Sequence, residues 1–129
     1  MYYMKNNKLE GTKLAEFEPI KKVTELAVID LIEGTGEVVP SVATITAHYT
    51  GALAIDGTIF QSSLDFGSPA TFGLNQVIKG WTMGVPGMKV GGKRRLVIPS
   101  AMAYGSQRAA ANIPPNSDLV FDIELISIQ

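Results

Sequence analysis

The chain has 129 residues, enough for one domain with a hydrophobic core, and a formal net charge of −1. This near-neutral charge, without a basic stripe, argues against a nucleic-acid partner, and no apolar run is long enough to span a membrane. The absence of cysteine excludes disulfides and thiolate metal sites, and the single histidine, His48, argues against a His-based metal site or a Ser-His-Asp triad. The short positive cluster Lys89, Lys93, Arg94 and Arg95 is interpreted as a solvated strand end.

The N-terminal stretch differs in composition from the rest of the chain. Residues 1–24 are polar and mixed in charge, which predicts an arm that is partly disordered at its start. Phe17 and Ile20 are expected to attach the later part of this arm to a single domain at 25–129. The first residues lack the apolar core of a signal peptide. A cytoplasmic location is therefore favoured, with an extracytoplasmic one expected if an upstream anchor has been removed.

Two stretches before the middle of the chain predict strands. The apolar run Leu26–Glu33 is one, and Val42–Thr50 is the other because its residues alternate strictly. Along the second strand Tyr49 shares the apolar, inward side, whereas His48 points the other way and is an outer-face residue rather than a catalyst. Gly51 is expected to end this strand.

A hairpin follows. Asp56-Gly57 is a strong turn signal, so Thr58–Gln61 should return as a strand with Phe60 inward. The stretch Ser62–Ala70, rich in Ser, Asp, Gly and Pro, is predicted to loop before a short strand at Thr71–Leu74.

The only tryptophan, Trp81, lies in a predicted short helix. Asn75 is expected to cap its start and Pro86 to end it. Gly80 and Gly84 each cost about 1 kcal/mol relative to Ala inside a helix, so this helix must be held by packing against the strands. Position alone leaves two interpretations open, an indole that fills the core and an indole that floors a pocket.

The last third of the chain predicts two strands around a long loop. Arg94–Ile98 and the alternating segment Leu119–Ile128 are the strands. The loop Ser100–Asn116 is long enough to indicate a functional segment. Packing alone does not explain a tyrosine, Tyr104, in a loop rich in glycine and alanine. Many strands with short turns and one helix predict an α+β fold, an antiparallel sheet wrapped on a helix.

The inward aromatic residues form a candidate cradle for an apolar ring. The cradle consists of Tyr49, Phe60, Phe72, Trp81, Tyr104 and Phe121, with Val77, Ile78 and Ile113 beside them. No nucleophile with a base, carboxylate pair at telling spacing or phosphate loop is evident in the sequence. Any chemistry at the cradle is therefore expected to run without covalent or metal catalysis.

Several ordered motifs resemble one known family. The motifs are His48-Tyr49-Thr50-Gly51, Asp56-Gly57-Thr58-Ile59-Phe60, Val77-Ile78-Lys79-Gly80-Trp81, Ala103-Tyr104-Gly105, Ile113-Pro114-Pro115 and Leu119-Val120-Phe121-Asp122-Ile123-Glu124-Leu125. Over Leu26–Gln129 the chain is similar to the FKBP-type peptidyl-prolyl cis-trans isomerases, especially their short bacterial forms. The resemblance implies a strongly bent antiparallel sheet around one short helix. It also implies cofactor-free isomerisation of Xaa-Pro bonds in proline-containing peptides or unfolded proteins, in assistance of protein folding.

The resemblance also assigns roles to residues. It implies catalytic roles for Tyr49, Phe60, Ile78, Trp81, Tyr104 and Phe121, and substrate contacts for Gln61, Phe72, Val77 and Ile113. In the family the substrate proline rests over the Trp. The Tyr hydroxyl of the long loop and the backbone N–H at Ile78 hold carbonyl groups.

Three positions depart from the family's pattern. Gln61 stands where the family usually has Asp, Phe66 where an Arg often pairs with that Asp, and Ala70 where many members have a second pocket aromatic. Macrolides such as tacrolimus and rapamycin are therefore expected to bind more weakly, with turnover less affected. The alternative function is a non-catalytic peptide-binding chaperone or scaffold domain of the same fold. A monomer is expected, because the chain has neither the loop insert of chaperone forms nor a heptad segment for dimerisation.

Overall fold

The structure is a computed structural model that describes residues 8–129. Its elements in chain order are β1 (Ala27–Ile32), β2 (Thr44–Leu53), β3 (Ile59–Ser62), β4 (Ala70–Gly73), α1 (Lys79–Gly84), β5 (Lys93–Ile98) and β6 (Leu119–Ile128). Two short 3-10 helices, Ser63–Phe66 and Ser100–Met102, lie in the connections.

The strands form one antiparallel sheet in the order β1-β5-β6-β2-β3. Strand β6 pairs along nearly all of β2, and the other edge of β2 is divided between two short partners. Strand β4 pairs with Thr44–Ala47 of β2, and β3 pairs with Thr50–Ala52. The predicted α+β fold, an antiparallel sheet wrapped on one short helix, is confirmed.

The sheet is covered on both faces, and each face has its own core. Alternate residues of a strand point to opposite faces, so Leu96 and Phe121 join the core under α1, whereas Val97 and Val120 join a second core. We call these sides the helix face and the arm face. The arm face is closed by the N-terminal segment, from which Leu14 and Val23 are buried against the sheet and Leu9, Phe17 and Ile20 are partly buried. The predicted disordered start of the arm falls mainly on residues 1–7, which lie outside the described residues.

Helix α1 lies so close to the sheet that two of its positions require glycine. A Cβ on Gly80 would come within 2.6 Å of the Ile98 side chain, and one on Gly84 within 2.7 Å of Leu96. The two glycines lower the intrinsic stability of the helix, but only residues without a Cβ allow it to pack this closely on β5. The prediction of Asn75 as the helix cap is wrong, because α1 begins after Ile78 and has no side-chain cap.

One strand boundary was also predicted wrongly. Strand β2 continues through Gly51 to Leu53, because Gly51 is paired on both sides and carries no side chain that the covering rings would exclude. The predicted loop after β3 contains the 3-10 helix Ser63–Phe66, whose start is capped by the Ser62 hydroxyl.

The prediction of a solvated strand end is wrong for the two arginines of the positive cluster. Arg94 and Arg95 are each only 8% exposed, and their guanidinium groups pair with the carboxylates of Asp30 and Asp122. Successive residues of β5 point to opposite faces, so one arginine serves each face of the sheet. A charge count could not indicate this burial, because both carboxylate partners lie far away in the chain.

Among residues 8–129, none of the helices has the length and hydropathy needed to cross a bilayer.

Candidate active site

A cavity of about 480 Å³ opens on the helix face, in the size range of small-molecule sites. It is bounded by α1, by β2 and its short partners, by β6 and by the long loop after β5. The lining residues are Tyr49, Phe60, Gln61, Phe72, Gln76, Val77, Ile78, Trp81, Tyr104 and Phe121. None of these side chains carries a charge at neutral pH, so the cavity suits an uncharged, largely apolar group.

Trp81 stands at the centre of the aromatic residues. It is 4% exposed, and its ring centroid lies 5.0 Å from that of Phe72, 5.4 Å from Phe121 and 5.9 Å from Tyr49. All three pairs are edge-to-face, the arrangement that aromatic quadrupoles favour. Phe60 extends the cluster through Phe121, at 5.7 Å. The walls of the cavity therefore consist of rings that pack against one another.

Gly51 permits the two phenylalanines to lie where they do. A Cβ at this position would come within 2.6 Å of both the Phe121 and the Phe60 rings. Phe121 is the direct cross-strand partner of Gly51 on β6. A glycine inside a strand often marks such a close approach, and here it leaves room for the rings that form the cavity wall.

One hydrogen bond joins two polar groups of the cavity. The Tyr49 hydroxyl donates to Gln61 Oε1 at 2.9 Å. Burial, and secondarily the nearby Tyr104 hydroxyl, raise the pKa of Tyr49 above its ordinary value. Tyr49 therefore remains a neutral donor at physiological pH, and Gln61 accepts from it through a neutral amide oxygen.

Several hydrogen-bond donors of the cavity have no acceptor among the described residues, and the Ile78 N–H and the Tyr104 hydroxyl are two of them. The backbone N–H of Ile78 precedes the first turn of α1, where helical N–H groups lack intrahelical partners. Tyr104 is 40% exposed, and its hydroxyl is likewise unpaired within this part of the chain. Both can donate to an acceptor that enters the cavity. The buried Trp81 Nε1 also lacks a partner among residues 8–129.

The structure brings nine of the ten residues assigned to the site from the sequence to this cavity. The tenth, Ile113, is 6% exposed and belongs to the core of the helix face, outside the lining. Gln76 lines the cavity but was missed, because a glutamine between β4 and α1 carries no recognisable signal. Only its position in the folded chain reveals it.

The three departures from the family pattern occupy different environments. Gln61 reaches the cavity, whereas Phe66 is 65% exposed at the end of the 3-10 helix. Ala70 pairs with Ala47 at the start of β4, and Phe72, two residues along, supplies a ring beside Tyr49 at 5.6 Å. His48, the outer-face residue, lies outside the cavity lining and bonds through Nδ1 to Ser63 Oγ at 2.8 Å.

An antiparallel sheet on a short helix, with an aromatic-walled cavity beside hydrogen-bond donors that have no acceptor among the described residues, places the chain in a class of proteins whose candidate site suits an apolar group carrying hydrogen-bond acceptors. Residues 36–126 match the profile of the FKBP-type peptidyl-prolyl cis-trans isomerase family. The chain belongs to this family.

Similar proteins agree with this assignment. The FKBP-type peptidyl-prolyl cis-trans isomerase FkpA of Aeromonas hydrophila is 45% identical over 128 residues, which cover 99% of this chain and 44% of that protein. An FK506-binding protein of Neisseria meningitidis serogroup A is 50% identical over 105 residues, 80% of this chain and 95% of its own. The crystal structure of FkpA from Escherichia coli matches with a TM-score of 0.74 at 41% identity, covering 89% of this chain and 54% of that one. The chain thus spans about half the length of the two FkpA proteins.

Proposed function

We propose that this chain is a peptidyl-prolyl cis-trans isomerase that rotates Xaa-Pro bonds of peptides and unfolded proteins without a covalent intermediate or a cofactor. The observation that carries the proposal is the cavity, whose closely packed aromatic walls lie beside the Ile78 N–H and the Tyr104 hydroxyl, donors without acceptors among residues 8–129. Family membership supports the same activity. The proposed domain comprises residues 25–129, with residues 1–24 as an attached arm.

The aromatic walls bind the proline. In the proposed complex the pyrrolidine ring rests on Trp81, with Tyr49, Phe60 and Phe121 around it and Phe72 and Val77 at the margin. Ile113 acts by supporting this wall from the core. Burial of a ring-sized apolar group contributes about 1.5–3 kcal/mol to binding. This contribution positions the Xaa-Pro bond at the edge of the cavity.

The apolar surroundings favour the twisted state of the bond. A planar amide is more charge-separated than a twisted one, because resonance moves charge from nitrogen to oxygen. Removal from water therefore disfavours the planar ground state more than the twisted transition state. Only such differential stabilisation accelerates the reaction, and each 1.4 kcal/mol gives about tenfold in rate.

The free donors hold the substrate's carbonyl groups. The Ile78 N–H and the Tyr104 hydroxyl can each donate to a substrate carbonyl without first breaking a bond to another described residue. A donor that meets the carbonyl best in the twisted state adds to the rate. The Tyr49–Gln61 pair, which is already bonded, is assigned to shaping the cavity wall.

The lack of a carboxylate at position 61 should lower the affinity for macrolides more than it lowers the rate of isomerisation. A neutral acceptor contributes about 1 kcal/mol, against about 1.5–3 for a charged one, so macrolides such as tacrolimus and rapamycin should bind with weakened affinity. The twisted amide develops no full charge that a carboxylate would balance. We therefore expect turnover to persist.

A protease-coupled isomerisation assay on a Phe-Pro peptide tests the proposal. The protein should accelerate isomerisation well above the uncatalysed rate, which corresponds to tens to hundreds of seconds. Absence of acceleration by a demonstrably folded protein would contradict the proposal. Peptide binding without turnover would instead favour the chaperone or scaffold alternative. The expected monomer is checked by light scattering on the same sample, where a stable dimer would contradict it.

A further inference from the structure

Arg94 is a buried cation on the strand that supports the helix. Its side chain is 10% exposed and its partner Asp30, on the edge strand β1, is 48% exposed. The pairing is bidentate, with Nε to Oδ1 at 2.6 Å and Nη2 to Oδ2 at 3.2 Å. A fork of this kind fixes the plane of the guanidinium.

The third nitrogen of the guanidinium holds the end of α1. Arg94 Nη1 donates to the carbonyl oxygens of Gly84 at 2.9 Å and Pro86 at 3.2 Å, and lies 3.5 Å from that of Val85. The last carbonyls of a helix have no intrahelical partner and carry partial negative charge. A fixed cation at this point therefore stabilises both the final turn and its exit from the helix.

The helix has few other polar attachments. Within the helix the Thr82 hydroxyl donates to the Leu74 carbonyl at 2.6 Å. The other contacts with the sheet are packing contacts, those of Gly80 and Gly84 on β5 and those of the Trp81 ring on the aromatic residues of the strands. Six residues of helix cannot persist alone in water. The position of α1 along the sheet therefore depends on this packing and on the polar groups that hold the end of the helix.

We propose that Arg94 and Asp30 are positioning residues of the site. By holding the end of α1, they set the place of Trp81 in the cavity and of the Ile78 N–H at its margin. The inference rests on the proposed function, since it concerns which residues the isomerase site depends on. Neither residue lines the cavity, so both act through the helix. A displacement of about 1 Å in a site can cost up to about a hundredfold in rate.

The neighbouring ion pair is a matched control. Arg95 has the same 8% exposure as Arg94 and makes a bidentate pair with Asp122, at 2.7 and 2.9 Å. Its other donors go to the carbonyls of Ala15 and Glu16, and its guanidinium lies 5.6 Å from the Phe17 ring. The two arginines therefore have similar burial and chemistry, but Arg95 holds the N-terminal arm rather than α1.

The test compares Arg94→Lys and Asp30→Asn with Arg95→Lys and Asp122→Asn. Lysine keeps the charge but loses the fork, and asparagine keeps the shape of Asp30 but loses its charge. A substrate titration with a Phe-Pro peptide separates kcat from KM, at a temperature where melting curves show every variant fully folded. The indole N–H resonance of Trp81, unique because the chain has one tryptophan, reports the helix position without reference to activity.

We expect Arg94→Lys to shift the indole resonance and to lower kcat about tenfold, with KM changed less than about twofold. Asp30→Asn should act in the same direction with a smaller effect. Arg95→Lys and Asp122→Asn should lower the melting temperature but leave both readouts near wild type. Equal effects on the resonance from both pairs, or none from Arg94→Lys, would overturn the inference.

The two proposals fail in different ways. An inactive wild-type protein whose Trp81 resonance still responds to Arg94→Lys would refute the isomerase function while showing that the pair positions the helix. If the wild type is active and Arg94→Lys changes neither kcat nor the Trp81 resonance, only the positioning role is refuted.

Discussion

The two faces of the sheet are built from the same strands but are covered differently. The N-terminal segment packs on the arm face, whereas the candidate site opens on the helix face. On the arm face small residues such as Ala52 and Ala54 meet Leu14 and Val23 of the N-terminal segment. The helix face carries large aromatic side chains and is covered by a six-residue helix together with connecting segments that contribute Met88 and Ile113. Rings that support one another edge-to-face leave a cavity that a short helix does not fill. A cavity thus remains where the covering segments do not fill the space beside the rings.

The largest expected contrast between the faces comes from Trp81→Ala. Removing the floor of the cavity should lower kcat/KM about a hundredfold, because about 2–3 kcal/mol of proline binding is lost. Stability should also fall, by about 3–5 kcal/mol. Leu14→Ala on the arm face is the comparison, with an expected cost of about 2–5 kcal/mol in the free energy of unfolding.

Enzyme kinetics at a temperature where both variants are folded, together with urea unfolding, measure the contrast. Turnover by Leu14→Ala should stay near wild type. Comparable loss of kcat/KM in both variants would show that the two faces are not functionally distinct.

Tyr104→Phe removes one oxygen atom from the margin of the helix-face cavity. The hydroxyl has no partner among the described residues, so stability should hardly change. If the hydroxyl binds a substrate carbonyl, kcat/KM should fall by roughly five- to tenfold, as expected for one neutral hydrogen bond. The protease-coupled assay and a melting curve check the two expectations. A wild-type kcat/KM would remove Tyr104 from the mechanism.

Gln61→Asp should raise macrolide affinity by a few fold, because the acceptor of the Tyr49 hydroxyl becomes charged. Peptide turnover should change less. Calorimetry with tacrolimus and the peptide assay are best run near pH 8. At that pH the new carboxylate is ionised even if desolvation raises its pKa, since Phe66 offers no cationic partner. Unchanged affinity, or a larger gain in turnover than in affinity, would contradict the argument.

The smallest expected effect is the acid sensitivity of the pair that holds α1. The hydrogen bond that Arg94 donates to Asp30 lowers the pKa of the Asp30 carboxyl below its ordinary value of 3.8. A lowered folded-state pKa contributes stability that is present above the unfolded-state value and is lost as pH falls through the folded-state value. The stability difference between wild type and Asp30→Asn, measured by urea unfolding from about pH 7 downward, should therefore narrow below about pH 4. A constant difference would indicate that the carboxylate charge contributes nothing there.

Local patterns predicted the fold well where they reported a regular period or a strong turn. The alternation in β6 located that strand at Leu119–Ile128, and the Asp56-Gly57 turn placed Phe60 inward in the core. Boundaries that depend on long-range neighbours were missed. Gly51 reads as a strand end until the Phe60 and Phe121 rings are placed over it. Asn75 reads as a cap until the helix is seen to begin later.

Part of the candidate site could also be predicted from local sequence patterns. The aromatic residues could be identified from inward positions and ordered motifs, because their spacing in the chain is a local property. Their convergence on one cavity, the addition of Gln76 and the placing of Ile113 behind the wall depend on how the segments meet.

The sequence by itself determined the alternation of inward and outward residues along the strands, the turn at 56–57 and the family to which the chain belongs. It also showed that the helix contains two glycines and must be held by packing. Only the tertiary structure decided what happens to Arg94 and Arg95, adjacent cations that look solvated in the sequence. Their carboxylate partners come from β1 and β6, and the carbonyls they hold come from α1 and the N-terminal segment. Burial of a charge is tolerated only where partners from distant segments meet it together, and no local pattern records such a meeting.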